Sequence, residues 1–389
     1  MANTFKFGNG NWAVKDGSVL AYNDENNNFK PLPFDFTRDS IATRVSKDGL
    51  IEVVPNNMPR IDFTDNTSGH LLLEPSRTNN LPYAEQFDNA AWSKGNSTVT
   101  ANQAISPDGS QTADLLQLTS AGGNVFDGVG GSGDYAFSVF AKYVDAQFIR
   151  LRSTGSYAYF DIQNGSVGST INVSSTKIED YGNGWYRCTV VGNNTNSLAQ
   201  IFVSDTDGSN TGTGSVYIWG AMFEAGSYAT SYIPTEGSSV TRVAETANDA
   251  GNSTVFNDSE GVLFLEAAML SSNPNNSTFQ IDDGTSTHRV RIRFTTTTNQ
   301  INGLLYSGVS GQPNINYTAN DVTNQNKVAI RYQVGQIDLF VNGTKVGTST
   351  GNATPTGFDN LSLGTEGKVK DLKVYNTALT DTELQNLTS

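Results

Sequence analysis

A single cysteine, Cys188, stands in 389 residues, so no disulfide can form within the chain and no cysteine cluster can hold a metal. Charge is also scarce. Charged residues make up 16%, and 24 Lys+Arg face 38 Asp+Glu for a formal net charge of −14. The few cations are spread along the chain, whereas a nucleic-acid binder needs a cationic footprint to displace counterions from phosphates. An anionic membrane surface would repel the chain for the same reason. No apolar run approaches the roughly 18 residues of a membrane-spanning helix. Met1 to Gly10 is polar, without the basic-then-apolar layout of a signal peptide. Only two histidines occur, His70 and His288, both in strand-like contexts and neither accompanied by a nucleophile elbow. The expectation is a protein without enzymatic activity.

Turn formers and aromatics are plentiful instead. Gly, Asn, Ser and Thr abound, and 20 Phe, 15 Tyr and 4 Trp supply material for packed cores, which argues against disorder. Apolar and polar residues alternate in many short runs. Phe137, Val139 and Ala141 oppose Ser138 and Lys142; Ile149 and Leu151 alternate with Arg150 and Arg152; Val290, Ile292 and Phe294 alternate with Arg289, Arg291 and Arg293. Period-two runs between Gly/Asn/Ser loops predict antiparallel strands with one buried face. Asn342-Gly343 is the strongest hairpin signal, and Thr380-Asp-Thr-Glu383 is a capping box that opens a short helix. The fold class expected is all-β: a small N-terminal β-rich module over 1–80, then two antiparallel β-sandwich (jelly-roll) domains over 81–245 and 246–389.

Three stretches resemble known families. Phe36-Thr-Arg-Asp-Ser-Ile-Ala-Thr43, Met58-Pro-Arg-Ile-Asp62 and Leu71-Leu-Leu-Glu-Pro-Ser-Arg-Thr-Asn-Asn80 resemble a module of tailed-phage structural proteins. Ser106–Asp114, Gly182–Arg187 and Ile218–Thr235 resemble the carbohydrate-binding-module-like jelly roll that commonly follows it. Gly335–Val346, Leu361–Gly364 and Gly367–Leu384 are similar to laminin-G/concanavalin A-like lectin domains. These resemblances imply a virion protein of head-fibre, capsid-decoration or tail-fibre type, attached to the particle by its N-terminal module. The near-absence of cysteine suits a bacterial or viral product, and release by lysis requires no signal peptide. The implied location is the virion surface after synthesis in the host bacterial cytoplasm. The implied partners are other virion proteins, host-surface glycans and further copies of the chain, commonly threefold.

Sandwich lectins stack an aromatic face on a sugar ring while planar polar side chains bridge its hydroxyls. The candidates for that role are Tyr157, Tyr159, Trp92 and Trp219. The competing reading for Trp219, and for Trp185, is core packing, because both lie in strands that match core strands of the resembling family. Tyr157 and Tyr159 alternate with Ala158 and Phe160, so the expectation is that their face is exposed or at an interface. For a metal, Asp205-Thr-Asp207-Gly-Ser-Asn210 has the oxygen-rich look of a calcium loop, with Asp205, Asp207 and Asn210 as ligands, although it lacks the glutamate that closes an EF-hand. Asp282-Asp283-Gly284 is a second such place. Each such loop is more often a plain turn, since Asp-Gly is the preferred turn chemistry. The functional expectation is glycan adhesion on a virion surface. The alternatives are a purely architectural protein and a polysaccharide depolymerase, the latter disfavoured by the absence of a Glu-x-x-x-Glu or Glu-x-Asp strand beside tryptophan.

Overall fold

A computed structural model describes residues 4–23, 28–64, 66–129, 131–153, 155–194, 198–285 and 287–389, without the side chains of 4, 21–32 and 194. It is nearly all antiparallel sheet with one short helix, Asp381–Thr388. The all-β expectation holds.

The chain divides into two compact units: 1–41, 54–75 and 243–389 form one, and 42–53 with 76–242 form the other. The module expected at 1–80 is therefore not a unit of its own. The reason is strand pairing across the length of the chain. Strand Thr4–Gly8 lies antiparallel to Gly367–Tyr375, with Phe5 opposite Val374 and Phe7 opposite Leu372, and His70–Leu73 joins the same strand further along. Phe5, Phe7, Val19, Phe34 and Phe36 share one core with Leu263, Val290 and Leu372.

In this first unit a twelve-stranded sheet faces a five-stranded one. Alternation sets the layers: Val290, Ile292 and Phe294 point into the core, so Arg289, Arg291 and Arg293 point out. Asn342 and Gly343 both take positive φ, 47° and 78°, and close the hairpin between Gln336–Val341 and Thr344–Thr350. The capping box forms as its sequence predicts. Thr380 Oγ accepts the Glu383 amide at 3.3 Å, and Glu383 Oε2 accepts the Thr380 amide at 2.8 Å. The helix then seats Leu384 on Val262, Phe264, Ala329 and Phe340, covering that end of the large sheet's outer face. No strand or helix among the described residues covers the outer face of the five-stranded sheet.

The second unit pairs two six-stranded sheets around a core that includes Phe137, Val139, Ile149, Leu151, Phe160, Ile201 and Phe223. One sheet contains strands Gly133–Tyr143, Trp185–Asn194 and Ser215–Ala225. Its outer face carries Phe140, Trp185, Trp219 and Met222, over which Tyr232, Ile233 and Ile51 are packed. Gly220, at φ +60°, sits where the register of Ser215–Ala225 shifts. A Cβ there would meet the Phe140 ring at 3.0 Å. The other sheet, with strands Phe148–Ser153, Ser156–Asp161 and Leu198–Ser204, has no strand or helix packed on its outer face among the described residues.

Candidate functional site

The uncovered sheet of the second unit is built on Ile149, Leu151, Ala158, Phe160, Ile201 and Val203, whose burial turns their neighbours outward. The register places Arg150 between Tyr159 on one side and Phe202 on the other, and Arg152 between Tyr157 and Gln200. The Arg150 guanidinium carbon lies 3.7 Å from the centroid of the Phe202 ring, 5.0 Å from that of Tyr157 and 5.8 Å from that of Tyr159. Tyr157 and Tyr159 meet edge to face at 6.1 Å. The Tyr159 hydroxyl donates to Asn210 Oδ1 at 2.9 Å, and Gln200 Nε2 donates to Asn124 Oδ1 at 2.9 Å.

Arg150 is 7% exposed and forms the floor of this face. Among the described residues no carboxylate pairs with it, and its Nε and the Gln200 Oε1 have no hydrogen-bond partner. Burial lowers its pKa and the Arg152 charge adds to that, against the opposing pull of the Tyr159 and Tyr157 hydroxyls. A buried cation flanked by rings, with amides alongside, can hold a sugar by ring stacking and by hydrogen bonds to hydroxyl or carboxylate oxygens.

The expected residues fall out differently. Tyr157 is half-buried and presents its ring to this face, whereas Tyr159 is 2% exposed and serves as its packed wall. Trp92 is 1% exposed, donating Nε1 to the Tyr83 carbonyl at 2.8 Å and packing on Phe87, so it is core and not a platform. Trp219 is equally buried, although it points outward from its sheet. Tyr232 covers it at 4.8 Å between centroids, and its Nε1 donates to Thr112 Oγ1 at 3.1 Å. Both tryptophans are therefore withdrawn from ligand binding by packing.

The Asp205–Asn210 loop uses its oxygens internally. Asp207 accepts the Ser169 amide and hydroxyl, each at 2.8 Å, and Asn210 accepts Tyr159. Among the described residues no group of three or more His, Cys, Asp and Glu could hold a metal ion. Sequence reasoning does not select Arg150, Phe202 or Gln200. The signal that could have found them is Ile149-Arg-Leu-Arg152, a cation pair set against two core residues. His70 is buried beside Asp62, at 3.4 Å, and shows no access for a substrate.

The class is that of all-β proteins built of antiparallel β-sandwich units. Within it, residues 266–385 match the Laminin_G_3 family model, described as the concanavalin A-like lectin/glucanases superfamily, so this segment carries a lectin-type fold. Comparison with curated proteins gives no match. Solved structures similar to parts of the chain include the CBM40 domain of the Ruminococcus gnavus IT-sialidase bound to α2,3-sialyllactose. The two share 19% identity at a TM-score of 0.31, over 36% of this chain and 92% of that one. Domain 4 of a GH43 extracellular arabinanase from Geobacillus stearothermophilus, in complex with arabinotriose, is similar at 12% identity and a TM-score of 0.31, over 41% and 82%.

Proposed function

We propose that this protein is a surface component of a tailed-phage virion whose sandwich units hold glycans of the host cell, without catalysis. The observation that carries the glycan reading is the floor of the open sheet: Arg150 is set against Phe202 and Tyr157, has no carboxylate partner among the described residues, and keeps an unused Nε. A guanidinium that no carboxylate neutralises keeps its charge for oxygen-rich ligands that reach this face beside the half-buried Tyr157 ring. The lectin-type fold of 266–385 supports the same reading. The phrase Leu71–Asn80 and the order of segments along the chain support the virion part. Partners would be other virion proteins, host-surface glycans and further copies of the chain. Threefold display would convert weak single-site affinity into avidity.

The test is binding of the purified full chain to a glycan array and to whole bacterial cells, with calcium and with chelator, beside Tyr157→Ala. Specific binding that Tyr157→Ala loses supports an adhesin with its site on this sheet. Binding that disappears with chelator adds calcium to the site and points to the Asp205–Asn210 loop. Absence of binding to any glycan favours the architectural role, and release of reducing ends from a polysaccharide would favour a depolymerase.

A further inference from the structure

The open face of the other unit carries a denser charge pattern. Arg289, Arg291 and Arg293 project from one strand, about 7 Å apart in sequence along it. Their neighbours across the sheet are neutral at two of the three positions: Arg291 lies between Gln280 and Leu304, and Arg293 between Thr278 and Asn302. Arg291 Nη2 donates to Asn302 Oδ1 at 3.4 Å, and Arg293 Nε to Thr278 Oγ1 at 3.0 Å. The Arg289 guanidinium sits over the Tyr306 ring at 4.7 Å. Asp282, opposite Arg289, accepts Gly284 N and Asn360 Nδ2 on one oxygen and Gln280 Nε2 on the other. Arg291 Nε is buried with no partner among the described residues.

This arrangement is costly by itself. Burial, then the charges of Arg293 and Arg289, bring the Arg291 pKa down to about 10. Scarcity of acid is not the cause, since the chain has 38 Asp+Glu against 24 Lys+Arg. Three like charges held together without an anion opposite Arg291 or Arg293 are the kind of local conflict that functional sites retain. Beside them stands a row of amides. Asn302 Nδ2 donates to Asn314 Oδ1 at 2.6 Å and to Asn316 Oδ1 at 2.9 Å, and Asn314 and Asn316 are exposed. A guanidinium row reads oxyanions in bidentate fashion, and an adjoining amide row reads hydroxyls.

We propose that this face is a second binding site, specific for an acidic polysaccharide, with Arg291 and Arg293 gripping its oxyanion groups and the Asn302–Asn314–Asn316 row its hydroxyls. The patch is short, three arginines on one strand. A chain of net charge −14 repels long polyanions elsewhere, which sets a polysaccharide bearing spaced acids apart from nucleic acid. The site is on a different sheet from Tyr157 and stands or falls independently of the first reading.

The experiment measures binding of the full chain to polygalacturonate (carboxylate only), dextran sulfate (sulfate only), neutral dextran and duplex DNA, at low and moderate salt. Expected is salt-sensitive binding to one or both acidic polysaccharides and none to dextran, with the preferred polymer identifying carboxylate or sulfate as the source. Arg291→Gln/Arg293→Gln should weaken that binding about tenfold or more. Arg291→Lys should recover only part of it, because the ammonium keeps the charge and loses the fork. Thermal melting of the double variant should not fall below that of the parent, since repulsion is relieved. Equal binding to dextran or DNA overturns the proposal. So does acidic-polysaccharide binding that survives the arginine variants and disappears in Tyr157→Ala, which would move the anion to the first sheet.

Discussion

Arg60 grips Glu245 with two nitrogens, Nε to Oε1 at 2.7 Å and Nη2 to Oε2 at 2.5 Å, across 185 residues of sequence and with both side chains shielded from solvent. Arg38 joins the same carboxylate at 2.9 Å, Glu74 pairs with Arg60 at 2.9 Å, and the Glu74 amide donates to Glu245 Oε2 at 2.9 Å. Burial alone would lower the Arg60 pKa, and the Glu245 and Glu74 carboxylates more than offset it, so the guanidinium stays charged. Arg38, Arg60 and Glu74 come from the three phrases that resemble tailed-phage proteins. In this chain these three residues meet Glu245 inside the first unit as a buried ionic knot, a structural role for them that needs no attachment surface.

Glu245→Gln should be strongly destabilising, because it leaves Arg60 and Arg38 buried with less than their compensating charge. The expected loss is about 3–5 kcal/mol. Urea unfolding of the full chain would show it as a lower midpoint, and an unchanged midpoint would mean that water or Glu74 carries the network.

A fragment beginning at residue 246 should fail to fold. It would lack Phe5, Phe7, Val19, Phe34 and Phe36, all in the core of the first unit. At roughly 1.5–3 kcal/mol per side chain, their loss rivals the ~5–15 kcal/mol stability of a typical domain. Near-ultraviolet circular dichroism and a cooperative urea transition are the readouts, and a native-like fragment would contradict the shared core.

Acid should weaken the first unit through His70. Burial lowers its pKa to about 4, against the pull of Asp62, from an ordinary value of 6.5. Between those values the unfolded chain binds a proton that the folded chain does not, so stability falls as pH drops from about 6.5 to about 4. The steepest slope from one such group is about 1.4 kcal/mol per pH unit. His70→Phe should flatten this part of the stability curve in urea titrations, and parallel curves for the two proteins would argue against a neutral buried imidazole.

The second unit should respond with the opposite sign through Asp114. Burial raises its carboxyl to about 6, although the amides of Asn102 and Phe87, at 3.0 and 2.9 Å, favour the anion. A raised carboxyl contributes stability that is present below its unfolded pKa of about 3.9 and is lost as pH rises through 6. Trp92, Trp185 and Trp219 lie in this unit and Trp12 in the first, so tryptophan fluorescence of a Trp12→Phe background follows its melting. Asp114→Asn should remove the decline between pH 4 and 6, and a decline of the same size in the variant would assign it to another group.

Much of the fold is legible in the residues. Asn342-Gly343 and Thr380–Glu383 specify their hairpin and helix start locally, through positive φ and side-chain capping, and both form as expected. Ile149-Arg-Leu-Arg152 and Val290-Arg-Ile-Arg293 specify which side chains turn inward, because a strand has period two. The division into units was not legible, since the pairing of Phe5 with Val374 leaves no local trace.

For the candidate site, alternation by itself determined that Arg150 faces away from the core between its sheets, while for Trp219, next to the register shift at Gly220, the sequence left sugar platform and core packing both open. Tertiary structure decided that Tyr232 and Ile233 cover the tryptophan while no strand or helix among the described residues covers the arginine. Alternation distinguishes the two faces of a sheet, but it carries no information about what the rest of the chain lays on the outer one. That depends on distant segments finding enough apolar surface to bury, which Phe140, Trp185, Trp219 and Met222 provide and the Arg150 face, with its charge and amides, does not.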